Sequence, residues 1–307
     1  MAETPYDVVI IGGGPAGLTA GLYAARSKLN VILIEKITPG GQVLVTDWIE
    51  NYPGFAGISG PDLIDKMVEQ TQQFHLPIES NEVISMDLSG EIKKIKLYDR
   101  EITAKAIIIA TGASPRTPGI GEDRYLGRGL SYCATCDGPF FKDKVVVTVG
   151  GGDTAVQESV YLTRFAKKVY LVHRRNALRA TKILQERALE NSKIEMVWDS
   201  VLTGIEGESG VEGVRVKNIK TGEERGIPCD GCFIWIGIIP NIGFADTALK
   251  LNEQGFIMTD EHMRTSIPGV FAAGDIRNTP LRQISTAVGD GAVAAMAAEH
   301  YIENMKS

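Results

Sequence analysis

The sequence predicts an α/β chain of two βαβ-type domains, the second inserted into the first. Three observations carry this reading. A strand, turn, helix and strand occupy residues 7–11, 12–17, 18–27 and 30–34, the grammar of one βαβ unit. The same grammar returns at residues 144–149, 150–155, 156–165 and 168–172, and Gly12 to Glu35 and Gly150 to His173 each span 23 positions. Further apolar strands that end in Gly or Ala turns lie on both sides of this second unit, at residues 106–112, 233–237 and 269–275, with an Ala-rich helix at 284–304 closing the chain. The first domain is therefore expected at residues 1–116 and 245–307, and the second at 117–244. Pro-containing crossovers fall near 114–118 and 238–242.

The bulk properties narrow the class. A chain of 307 residues suits two domains better than one core. A formal net charge of -6 argues against nucleic acid as the main partner, since phosphate contacts need a basic surface. No apolar stretch approaches the ~18 residues of a membrane span, and the N-terminus lacks a basic, apolar leader. A cytoplasmic location is expected. Four Cys are too few for a secreted disulfide framework, and in a reducing compartment a Cys-x-x-Cys pair is catalytic or metal-binding rather than structural. The four His make no metal spacing, so no metal site is expected.

The first turn reads Gly12-x-Gly14-x-x-Gly17. The first glycine permits the tight turn, the second lets backbone approach a pyrophosphate, and the third lets helix and strand pack closely. The helix N-terminus then offers free N–H groups to phosphate, and Glu35 can accept from a ribose diol. The second turn, Gly150-Gly151-Gly152-Asp153-Thr154-Ala155, places Ala at the third glycine, which the pattern allows. Where the first unit has Glu35, the second has His173-Arg174-Arg175, with Arg179 following. Guanidinium groups clamp a 2′-phosphate that a carboxylate would repel, which favours NADP over NAD. Both domains thus read as Rossmann-like, three-layer ββα dinucleotide-binding domains. NADPH belongs in the second, and the first most simply holds FAD, since a hydride donor needs an acceptor that passes electrons onward.

Cys133-Ala-Thr-Cys136-Asp137 offers two sulfurs within disulfide reach and a neighbouring carboxyl for proton transfer. The alternative is half of a zinc site completed by Cys229-Asp-Gly-Cys232, although the gap between the pairs is far longer than in zinc ribbons. Cys229 and Cys232 themselves read as small buried hydrophobes around an Asp-Gly turn, with a second redox pair as the sharper alternative. Near the C-terminus, Gly274-Asp275 and Leu281-Arg282-Gln283-Ile284 precede the last helix. Asp275 can bind ribityl hydroxyls. Arg282, Gln283 and the helix N-terminus can face the edge of the flavin that becomes negative on reduction. An ordinary surface Arg is the plain alternative for Arg282.

These motifs, together with Gly40-Gly-Gln42, Asn51-Tyr-Pro-Gly54, Ala110-Thr-Gly112 and Gly151-Gly-Asp153, make the chain resemble low-molecular-weight thioredoxin reductases along its full length. The resemblance implies a homodimer, FAD in the split domain, NADPH in the inserted one, and thioredoxin as acceptor. It also implies that Cys136 faces the flavin, that Cys133 exchanges with thioredoxin, and that the inserted domain rotates about the crossovers near Thr117 and Gly243. On this basis the candidate FAD contacts are Gly12, Gly14, Pro15, Ala16, Gly17, Glu35, Gly41, Gln42, Thr46, Asn51, Val83, Thr111, Gly112, Gly274, Asp275, Arg282, Gln283 and Ile284. The candidate NADPH contacts are Gly151, Gly152, Asp153, Thr154, His173, Arg174, Arg175 and Arg179. Cys133, Cys136 and Asp137 are the candidate catalytic residues. A reductase for a peroxiredoxin system and a zinc-stabilised NADP-binding protein without turnover are the competing readings.

Overall fold

A computed structural model describes residues 4–46, 48–244 and 248–305, with side chains at all of these except 45, 135 and 136. The expected domain boundary at 244/245 falls on residues 245–247, outside the described residues. The chain runs β1 (Tyr6–Ile11), α1 (Pro15–Arg26), β2 (Val31–Glu35), α2 (Gly60–Gln72), β3 (Ile78–Ser80), β4 (Val83–Asp87), β5 (Lys93–Leu97), β6 (Glu101–Ile109) and β7 (Ala113–Pro115). It continues with β8 (Leu130–Ser131), α3 (Ala134–Asp137), β9 (Val145–Gly150), α4 (Asp153–Leu162), β10 (Lys168–Val172), α5 (Lys182–Leu189) and β11 (Ile194–Val197). Then come β12 (Ser200–Glu206), β13 (Gly213–Asn218), β14 (Glu224–Pro228), β15 (Gly231–Trp235), β16 (Ile238–Pro240), β17 (Val270–Ala272) and α6 (Ile284–Met305). Two compact units result: Met1–Ser114 with Ile239–Ser307, and Pro115–Ile238.

In the first unit β3, β2, β1 and β6 lie side by side in parallel. Besides β1, β6 is long enough to serve two further neighbours. Its first half pairs antiparallel with β5, and its second half pairs parallel with β17. The period of two along a strand sends alternate side chains of β1 to opposite faces. Val8 and Ile10 enter a core with Leu18 of α1, Leu63 of α2 and Ala294 of α6. Val9 and Ile11 enter a second core with Val83, Ile95 and Leu97 of the antiparallel meander. Helices, parallel sheet and meander are the three layers. α1 and α6 touch closely where a Cβ on Gly291 would fall onto the Ala16 carbonyl oxygen.

The second unit repeats the scheme. Its parallel sheet has the order β11-β10-β9-β15-β8, and β12-β13-β14 form the meander. Val147 and Val149 pack with Leu202, Val214 and Val216 of the meander, while Val146 packs with Leu162 of α4. Both three-layer domains of the sequence reading are therefore present. The helix starts differ from it: α1 begins at Pro15 and α4 at Asp153. Pro at the first helical position is pre-set for the helix and loses no needed donor, so the turn passes into helix at once. Among the described residues, no helix is long and apolar enough to cross a membrane.

Candidate functional sites: two glycine turns and a disulfide

In the first unit the turns after Ile11, Glu35, Ile109 and Ala272 follow the carboxyl ends of parallel strands, the edge at which α/β sheets bind ligands. Gly12 sits at φ +103°, and a Cβ there would come within 2.5 Å of the Ala110 carbonyl oxygen. A Cβ on Gly17 would fall onto the Gly12 carbonyl oxygen. Only glycine fits these two positions. Gly14 differs: a Cβ there would meet nothing within 4 Å. It caps α1 without any side-chain hydrogen bond, so the first-turn N–H groups face that open space. The arrangement fits a pyrophosphate.

Glu35 does more than the sequence reading gave it. Its Oε2 accepts the Gly13 N–H at 2.6 Å and its Oε1 accepts the Ile37 N–H at 3.2 Å. The carboxylate thus ties the glycine turn to the end of β2, with lone pairs remaining for a ribose diol. Gln42 donates its side-chain N–H to the Ala113 carbonyl. Asn51 donates to the side-chain oxygen of Gln283 at 2.9 Å, bringing two distant candidates together. Gly274, at φ +77°, lies against Ala16. Burial raises the Asp275 carboxyl above its usual range, Arg282 opposes that shift, and Asp290 adds to it. Arg282 stacks its guanidinium over Phe256 at 4.1 Å, and its Nε is a buried donor without a partner among the described residues. An orphaned donor beside a carboxyl made costly to ionise fits a polar ligand better than a plain surface Arg. Val83 and Thr46 contribute less. Val83 commits its side chain to the core, and the Thr46 hydroxyl turns back to the Gln42 carbonyl at 3.5 Å.

Two elements of this site escaped the sequence reading. Arg277 donates through Nε and Nη2 to the two Asp290 oxygens at 2.7 and 3.0 Å, and Asp290 Oδ2 also accepts the Gly274 N–H at 3.1 Å. This ion pair fastens the Gly274-Asp275 turn to α6. Asn241 staples the segment after β6: its side chain donates to the Thr111 carbonyl at 2.9 Å and its backbone N–H to the Gly112 carbonyl at 3.0 Å.

The second unit repeats the open turn. A Cβ on Gly152 would meet nothing within 4 Å, and α4 starts there without a side-chain cap. Asp153 is held by its Oδ1, which accepts the Thr181 N–H at 2.6 Å, while Thr154 is exposed on the same turn of α4. His173 points inward. Its ring lies where a Cβ on Gly151 would be, Trp198 packs on it edge-on, and burial pushes its pKa down. It shapes the turn from behind. Arg174, Arg175 and Arg179 are exposed, and none has an ion pair among the described residues.

Cys133 follows β8 at the same carboxyl edge and is disulfide-bonded. Its backbone N–H is held by the Ser131 hydroxyl at 2.9 Å, and its carbonyl accepts from Asp137 N–H at 3.3 Å. The side chain of Cys136 lies outside the described residues. Cys229 and Cys232 are free and buried, and burial pushes the Cys229 thiol up to about 12 and the Cys232 thiol up as well. They behave as the small hydrophobes expected.

A family profile described as pyridine nucleotide-disulphide oxidoreductase matches residues 6–291. The chain belongs to this family. It is similar to the thioredoxin reductase of Bacillus subtilis (strain 168), with 47% identity over 306 residues, 99% of this chain and 97% of that protein. The thioredoxin reductase of Listeria monocytogenes serovar 1/2a is 46% identical over 312 residues, covering 99% of this chain and 96% of that one. Among solved structures, Lactococcus lactis thioredoxin reductase matches with a TM-score of 0.94 at 47% identity, over 97% of this chain and 99% of that chain. The T. acidophilum enzyme matches at 0.91 with 36% identity, over 99% and 100%. Within the family, the chain is of the low-molecular-weight thioredoxin reductase type, a flavoprotein disulfide reductase that uses FAD and NADPH.

Proposed function

We propose that the chain moves two electrons from NADPH, bound by the second unit, through FAD, bound by the first, to a disulfide between Cys133 and Cys136, and then to thioredoxin. Overall, NADPH, a proton and the thioredoxin disulfide become NADP⁺ and a dithiol. FAD, when bound, supplies the chemistry that links a hydride donor to a disulfide. Gly14 and the α1 N-terminus hold its pyrophosphate, while Asp275 and Arg282 offer it hydrogen bonds. Arg174, Arg175 and Arg179 take the 2′-phosphate of NADPH. Cys133 attacks thioredoxin, Cys136 receives electrons, and Asp137 exchanges protons with the thiols. Thioredoxin as acceptor is supported by the names of the relatives, and the same reading gives a cytoplasmic homodimer.

The observation that supports this most is one sheet edge. β8 and β10 deliver disulfide-bonded Cys133 and the Arg174-Arg175 segment to the same edge, three strand steps or roughly 14 Å apart. The test is NADPH oxidation by the purified yellow protein. It should depend on added thioredoxin and vanish in Cys133→Ser with flavin retained. Thioredoxin-dependent turnover that survives Cys133→Ser refutes the path.

A further inference from the structure

We propose that Asp199, held by Lys220, is a positioning residue for recognition of the NADPH 2′-phosphate, acting through Arg175. This rests on the reading of the second unit as the NADPH site. The segment after β10, which carries the arginines, has no regular structure of its own. It is laced to the segment after β11. His173 N–H donates to the Val197 carbonyl at 2.9 Å, Ser200 N–H to the His173 carbonyl at 3.0 Å, and Asp199 N–H to the Arg175 carbonyl at 3.3 Å. The far end is tied to the glycine turn, with Arg179 N–H on the Gly151 carbonyl at 2.7 Å. Arg174 and Arg175 thus hang between two anchors, and Asp199 is the one beside Arg175.

Asp199 is itself unusual. Its φ is +51°, a left-handed conformation that few residues other than Gly, Asn and Asp adopt. That conformation lets its N–H reach Arg175 while its carbonyl accepts the Ile219 N–H at 2.7 Å. Its carboxylate, only 17% exposed, meets the Lys220 ammonium at 2.9 Å. Lys220 is presented from a fixed turn, since Asn218 Oδ1 accepts the N–H groups of Lys220 and Thr221 at 2.9 and 3.0 Å. The pair locks the backbone that aims Arg175.

Calorimetry on the intact FAD-loaded protein tests this with 2′,5′-ADP and 5′-AMP, which differ only in the 2′-phosphate. Asp199→Ala and Lys220→Met should each weaken 2′,5′-ADP binding about fivefold and leave 5′-AMP binding unchanged, the size expected for loosening one charge-assisted contact. An equal loss for both ligands, or no loss in either variant, overturns the proposal. Lys220 is exposed, so Lys220→Met reads the same effect should Asp199→Ala fail to fold. Arg175→Ala separates the two levels. If it leaves the discrimination intact, the arginine reading fails and the proposal with it. If it lowers the discrimination and Lys220→Met does not, only the positioning role fails.

Discussion

Asp290→Ala should cost the first unit about 3 kcal/mol and much of its FAD. The carboxylate receives two Arg277 donors at 2.7 and 3.0 Å, with the side chains 14% and 11% exposed. Without it, the Arg277 guanidinium keeps only the Thr259 hydroxyl at 3.1 Å among the described residues. Leaving a buried charge unpaired costs about 3–5 kcal/mol, and the Gly274 N–H loses its acceptor, at about 1 kcal/mol more. The pair retains some contact with water, which brings the combined cost down to about 3 kcal/mol. For a unit of this size that lowers Tm by roughly 6–12 °C. Because Gly274 N–H is one of the three donors, the Asp275 turn also loosens, and flavin retention should fall with stability. Thermal unfolding followed by circular dichroism, with flavin content measured after gel filtration, reads both effects. The double variant Asp290→Leu/Arg277→Met removes both charges and should recover at least half of the lost stability. An Asp290→Ala protein within about 1 kcal/mol of the parent, or a double variant no better than the single one, refutes this reasoning.

Four further outcomes are expected. Gly17→Ala should abolish stable holoprotein, because its Cβ would fall onto the Gly12 carbonyl. Gly14→Ala should keep the apoprotein fold within about 1 kcal/mol yet weaken FAD binding, and comparable unfolding in the two would contradict the assignment of Gly14 to ligand space. Arg174→Ala/Arg175→Ala should raise KM for NADPH at least tenfold and leave KM for NADH within a factor of about two, and an unchanged ratio would refute the role of the cluster. Burial raises the Cys229 thiol from 9.0 to about 12, so its contribution to stability is full below about pH 9 and lost as pH climbs towards 12. The stability advantage of the parent over Cys229→Ala should therefore shrink by about 3 kcal/mol from pH 8 to 11, and a constant difference across that range would exclude the buried-thiol account.

What the sequence revealed and what it hid divide along the range of the contacts involved. Gly12, Gly17 and Gly150 are readable because the strand, turn and helix that call for them lie within a few residues, although the backbone that Gly12 and Gly150 make room for, at Ala110 and Trp235, is distant in the chain. Cys229 and Cys232 were readable because an Asp-Gly turn leading into an apolar strand points to burial. The Arg277–Asp290 pair was not, since its partners are 13 positions apart and neither belongs to a motif. The Asn241 staple joins segments 130 positions apart. The sequence points Glu35 to ribose alone, because its second task, holding Gly13, depends on how the turn folds back over β2. The inward turn of His173 depends on Gly151 leaving room for a ring, which no spacing rule encodes. The early starts of α1 and α4 followed from turn residues, Pro15 and Asp153, that themselves enter the helix.

Electron delivery from NADPH to the disulfide at Cys133 can be read directly by anaerobic alkylation and peptide mapping of the FAD-loaded protein before and after one equivalent of NADPH. Cys133 and Cys136 should be protected before addition and labelled after it, while buried Cys229 and Cys232 stay unlabelled in both samples. Cys133 that remains unlabelled after NADPH, or is labelled equally without it, would contradict the account.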